Sequence, residues 1–179
     1  DTGRHIVRMA YYSLIICRNL ELSNTQQQMI FRAAPLHDVG KLGILDEILL
    51  KPGKLTPDEF RIMQTHTTIG GQILSNSASK LIQTAQEVAL THHEKFDGSG
   101  YPMGLKGKDI PIEGRISAIC DVFDALTSER PYKKPWSVED AMKLIREGAG
   151  SHFDPELVDT FSAVLPEILN IRAQYSDST

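Results

Sequence analysis

The sequence predicts an all-α domain, a bundle of about seven helices interrupted by one long irregular loop. Three observations predict it. Apolar residues recur at three- and four-residue steps through most of the chain. Helix-start signatures precede several of those segments. Strand-type alternation is almost absent.

The first segment, residues 4–20, carries Ile6, Met9, Ile16 and Leu20 at helical spacing. The second, residues 25–40, carries Met29, Ile30, Ala33 and Leu36, with Pro35 as a bend. Thr56, Pro57 and Glu59 open a third helix that reads to Leu74: Thr56 caps, Pro57 suits the first turn and Glu59 completes a capping box. A fourth, residues 79–93, turns Leu81, Ala85, Val88 and Ala89 inward. Residues 94–112 then hold Gly98, Gly100, Gly104 and Gly107 with Pro102 and Pro111. A loop of that length inside a compact domain is usually functional or disordered. Helical pattern resumes over 113–128, and Arg130 to Pro135 (RPYKKP) breaks it. Ser137 caps a helix to Ala149, and Asp154 with Pro155 starts the last one, to Ala173.

A chain of 179 residues with 41% hydrophobic content suits one domain spanning 1–179. It starts at Asp1 rather than Met, so excision from a longer regulatory protein is expected. The net charge is −4 without blocks of like charge, which argues against DNA binding. The apolar runs fall short of the roughly 20 residues of a membrane span, and no signal peptide is present, so a cytoplasmic location is expected. Cys17 and Cys120 lie in apolar helical patterns and read as core residues in a reducing compartment.

The chemistry lies in the histidines. A lone histidine is usually a core or surface residue, but here they are grouped. His37 precedes Asp38, His92 and His93 are adjacent, and Asp121 interrupts an apolar helix between Cys120 and Val122. A carboxylate there is costly unless paired or metal-bound. Imidazole with carboxylate suits iron, manganese, zinc or nickel. Asp38 is the natural bridge between two ions, because both its oxygens can bind and His37 beside it can hold one of them. Two ions about 3.5–4 Å apart can clamp a phosphate oxygen and hold an attacking hydroxide.

The runs HDVGK (His37–Lys41), HTTIG (His66–Gly70), HHEKFDGSGYPMGLKG (His92–Gly107) and DVFDALTSERPYK (Asp121–Lys133) resemble the HD-GYP domain, a branch of the HD superfamily of metal-dependent phosphohydrolases. The resemblance spans nearly the whole chain and implies an HD-type helical bundle in which residues 94–112 form the GYP loop. It implies two metal ions, commonly iron, on His37, Asp38, His66, His92, His93 and Asp121, with Asp38 bridging. His5 is a ligand in members that hold three ions. A glutamate four residues earlier completes that third site, and Asp1, one methylene shorter, takes its place here. Leu45 stands where many members have proline, outside the ligand set.

The activity implied is hydrolysis of cyclic di-GMP to linear pGpG, and in some members to GMP, by a metal-bridging hydroxide attacking phosphorus. Asp38 and Lys41 are the catalytic candidates, Lys41 to bind phosphate or protonate the leaving 3′ oxygen. Tyr101 would shape the pocket rim, and Arg130 and Lys133 would contact phosphate and guanine. Glu94 is expected to orient a histidine, and Asp97 and Asp124 to support ligands or cap. Expected partners are a diguanylate cyclase or adaptor at the GYP loop and an upstream sensory or receiver domain. Three other readings stand beside this one: cyclic GMP-AMP as substrate, a non-catalytic binding module, and a phosphomonoesterase of the wider HD group.

Overall fold

The computed structural model describes residues 3–129 and 134–177, and the fold is all-α. Its α-helices are α1 (Gly3–Asn19), α2 (Asn24–Ala33), α3 (Asp46–Leu49), α4 (Pro57–Gln64), α5 (His66–Ile73), α6 (Lys80–Thr91), α7 (Ile112–Thr127), α8 (Val138–Glu147), α9 (Pro155–Ala163) and α10 (Leu165–Gln174). Among the described residues no strand forms beyond a single bridge between Ala149 and Phe153, and no helix is long and apolar enough to cross a membrane.

The predicted caps form. Thr56 Oγ1 accepts from Glu59 N at 3.2 Å, and the Glu59 carboxylate accepts from Thr56 N at 2.7 Å. Ser137 and Asp154 cap α8 and α9 through the backbone N–H groups of Asp140 and Glu156.

Three expected helices are each divided. The segment 25–40 is α2 followed by two 3₁₀ turns, Ala34–Leu36 and Val39–Gly43. Pro35 has no N–H to continue the α-ladder, so the turn tightens there. His37 and Asp38 therefore lie between two tight turns rather than on one helix. The segment 56–74 divides into α4 and α5 at Thr65. The final segment divides at Val164, just before Pro166. The short α3 adds an element the periodicity did not predict.

One core gathers Met9, Tyr12 and Ile16 of α1, Ile116, Ile119 and Phe123 of α7, Ile145 of α8 and Phe161 of α9. Each such burial contributes about 1.5–3 kcal/mol. A smaller core joins Ala33, Leu74, Ala85, Val88 and Ala89 between α2, α5 and α6. Cys17 and Cys120 are buried free thiols, as their apolar setting predicted. The two cores meet where α1, α6 and α7 pack together, and α5 closes on the Val39–Gly43 turn beside them. At that junction polar side chains converge.

Candidate metal centre

Three histidines are fixed by one local device. The Nδ1 of His37 donates to Ala34 O (2.9 Å), that of His66 to Met63 O (2.6 Å), and that of His92 to Val88 O and Ala89 O (3.0 and 3.1 Å). Each ring curls back on a carbonyl three or four residues earlier, at the end of a helical segment. A carbonyl oxygen has two lone pairs, so Ala34 O and Val88 O accept the imidazole N–H beside the backbone N–H of His37 and His92. A carbonyl only accepts, so Nδ1 carries the proton. In a neutral ring Nε2 is then a bare lone pair.

The Nε2 atoms point at one another. His66 and His92 bring theirs to 3.4 Å, as do His5 and His37. Asp38 lies between, with Oδ1 3.2 Å from His66 Nε2 and 3.6 Å from His92 Nε2, and Oδ2 3.2 Å from His37 Nε2. Asp38 Oδ1 is buried and receives no hydrogen bond. Facing lone pairs around an unsatisfied carboxylate oxygen repel unless a cation lies among them. The ligand atoms of Asp38, His66, His92 and His93 all lie within 4.8 Å of one another, and those of His5, His37 and Asp121 do the same. The residues present therefore fit divalent metal ions.

Electrostatics keep the donors in binding form. Burial lowers the pKa of His92, and burial with His92 and His66 alongside lowers that of His93 to about 2, so both rings are neutral. Burial opposes a charged His37, but the adjoining Asp38 carboxylate lifts its pKa overall. Burial likewise opposes ionisation of Asp38, and the surrounding histidines, His37 first, outweigh it and hold the carboxyl far down. Lys41 Nζ rests on Asp38 Oδ2 at 2.5 Å, so Lys41 reaches the site from the 3₁₀ turn.

His5 and Asp121 arrive from α1 and α7. His5 Nε2 and His37 Nε2 lie 3.7 and 3.8 Å from Asp121 Oδ1. Behind His5, its Nδ1 donates to Asp124 Oδ2 at 2.8 Å, and Arg8 Nε donates to Asp124 Oδ1 at 2.7 Å. Asp124 thus holds the ring of His5, a candidate ligand. Burial would raise its pKa, but His5 and Arg8 hold it down at about 2. Arg8 had no place in the sequence reading. Its one signal was an arginine three residues after His5 on an otherwise apolar face.

The GYP loop departs from expectation at Glu94. Its buried carboxylate does not orient a histidine but accepts from Met103 N (2.7 Å) and Leu105 N (3.0 Å), folding the loop back on itself. Two backbone donors inside a nine- to eleven-residue span outcompete a ring whose Nδ1 already has a carbonyl. Glu94→Gln is expected to cost about 1–3 kcal/mol in denaturant unfolding and to speed amide exchange at Met103 and Leu105. The Tyr101 ring stacks on His93 (centroids 4.9 Å apart, 20°) and meets Phe60 edge-on. Asp97 caps the loop through Ser99 N and Oγ, and His152 stacks on Phe153, away from the ligands. Asp1, Arg130 and Lys133 lie outside the described residues.

Comparison with known proteins agrees with this geometry. A family model described as an HD domain matches residues 2–157. A cyclic di-GMP phosphodiesterase from Thermotoga maritima is 49% identical over 99% of this chain and 48% of its own length. A 3′3′-cGAMP-specific phosphodiesterase from Vibrio cholerae is 48% identical over 99% of this chain and 34% of its own length. The chain thus spans less than half of each of these relatives. A solved cyclic GMP-AMP specific phosphodiesterase from V. cholerae superposes with a TM-score of 0.70 at 23% identity, covering 93% of this chain and 45% of the other, which is a likeness of fold. With the HD pair at the centre of the cluster and the Gly-Tyr-Pro loop against it, this chain belongs to the HD domain family, in its HD-GYP branch.

Proposed function

We propose that this domain is a metal-dependent phosphodiesterase that opens cyclic di-GMP to linear pGpG and can carry cleavage on to GMP. Iron is the first choice of ion, with manganese or nickel as substitutes. The observation that carries this reading is Asp38, set between two groups of ligand atoms with the Lys41 ammonium on its outer oxygen. Divalent ions held by those residues supply an activated water and a positive clamp on the phosphoryl oxygens.

The chain's own side chains do the rest. Asp38 keeps the two ligand groups in register, since His66 and His92 face one of its oxygens and His37 the other. Lys41 is 31% exposed, on the open side of Asp38, where its ammonium can turn to a phosphate oxygen and give a proton to the departing 3′ oxygen. Tyr101, backed by His93, offers an aromatic surface for a guanine base. Arg130 and Lys133 follow the Asp121 helix in sequence, and their charges suit phosphate and the guanine edge. The same reading leaves the GYP loop open to a diguanylate cyclase or adaptor, in a cytoplasmic regulatory protein with a sensory or receiver domain.

The second substrate, cyclic GMP-AMP, stays in competition because relatives named for each dinucleotide are nearly equally similar to this chain. Turnover of both dinucleotides by anaerobically prepared, metal-defined protein separates them. Faster linearisation of cyclic di-GMP supports the main reading. Metal-loaded protein that binds either dinucleotide and cleaves neither would overturn it. Lys41→Met is expected to lower turnover roughly 10²-fold, the usual worth of a positioned acid, with ion content unchanged.

A further inference from the structure

We propose that a side-chain relay, His5–Asp124–Arg8, closed by the C-terminal turn at Tyr175–Asp177, positions His5 and sets the affinity of the His5–His37–Asp121 group for its ion, separately from the group around Asp38, His66, His92 and His93. The proposal rests on the ligand assignment above.

The two groups are supported differently. His66 and His92 are held by backbone carbonyls of their own segments. His5 is held by a carboxylate 119 residues away in sequence. A carboxylate on Nδ1 makes an imidazole a stronger donor than a carbonyl does, and such supports typically change metal affinity 10–100-fold. His5 binding strength is therefore adjustable through whatever fixes Asp124.

Arg8 fixes it. Its Nε and one terminal nitrogen take both Asp124 oxygens, at 2.7 and 2.9 Å. The same guanidinium donates to Tyr175 O (2.7 Å) and Ser128 Oγ (3.1 Å) and pairs with Asp177 Oδ2 at 2.9 Å. Arg8 is only 2% exposed. Its fork thus joins α1, the end of α7 and the turn after α10. Both helices use one spacing: His5 with Arg8 on α1, and Asp121 with Asp124 on α7, are three residues apart. Each helix presents a candidate ligand and, on the same face one turn later, a member of the relay. A lysine at position 8 keeps the charge but loses the two-pronged grip.

Manganese(II) titration of the whole domain, with ion content by mass spectrometry, tests this. His5→Ala and His66→Ala assign the binding steps to the two groups. Asp124→Asn is expected to weaken the His5 step about 10–100-fold and leave the other step unchanged. Arg8→Lys and Asp177→Asn should weaken the same step by smaller factors, Asp177→Asn least, since its carboxylate is the outermost member and 17% exposed. The His5 Nδ1 proton resonance should shift in all three variants.

Unchanged titration in folded Asp124→Asn, or equal weakening of both steps, overturns the relay. Should Asp124→Asn fail to fold, Arg8→Lys and Asp177→Asn decide by the same titration, and wild-type behaviour in both overturns it. A wild-type domain that binds no divalent ion sinks the ligand assignment and the relay together, which distinguishes that failure from failure of the relay alone.

Discussion

Asp38→Ala is expected to abolish turnover and to strip ions from the domain while leaving it folded. The Asp38 carboxylate touches both ligand groups: His66 and His92 approach its Oδ1, His37 and Lys41 its Oδ2. Removal leaves the His66, His92 and His93 lone pairs without the carboxylate of their own group to draw a cation in. The several kcal/mol of charge stabilisation that bound ions contribute corresponds to a loss of at least about 10³-fold in turnover. Asp38→Asn keeps the shape and removes the charge, so a comparable loss in both variants assigns the effect to charge. Ion content, circular dichroism and dinucleotide turnover measured on the same samples check it. Asp38→Ala with both ions and full activity would refute the assignment.

Gly40→Ala should be the most damaging small substitution near the site. A Cβ at Gly40 would lie 1.8 Å from His66 O, 2.4 Å from Gly70 N and 2.8 Å from His66 C. All three are backbone atoms, so relief requires the Val39–Gly43 turn to lift away from α5. The turn carries Lys41 and adjoins Asp38, and α5 begins with His66. We expect a cost of about 3 kcal/mol or more, near 6–12 °C in Tm for a chain of this size, together with loss of ions. Gly43→Ala is the control: its Cβ would meet only Ile69 side-chain carbons, the nearest at 2.9 Å, which can swing aside. Equal thermal stability of Gly40→Ala and wild type would contradict the close approach.

Much of the site was legible because its chemistry is written in residue types. Histidines next to aspartates, and Asp121 in an apolar helix, pointed to metal ligands, and those within the described residues converge. What was not legible depends on distance in space. Asp124 and Arg8 meet only when α1 packs on α7, and no local pattern encodes that. Glu94 follows two candidate ligands, so adjacency suggested a role toward them; the backbone N–H groups of Met103 and Leu105 claim it once the loop closes. Helix ends failed for a related reason. The apolar period runs unbroken past Thr65, where no proline or glycine marks the joint, and past Pro35, which ends α2 and tightens the backbone into a 3₁₀ turn rather than merely bending a continuing helix.

The curl of His92 onto Val88 O and Ala89 O has a further consequence. A candidate metal ligand that is also the terminal fastening of its own helix ties site geometry to the number of residues in that helix. One residue inserted or deleted in α6 would rotate His92 and His93 by about 100° and carry both rings out of the cluster, although every exposed side chain on α6 could be exchanged without moving them. Such a helix is free to drift in composition and frozen in length, so frameshift-compensating or indel variants should be absent from functional libraries of this segment, while substitution variants abound.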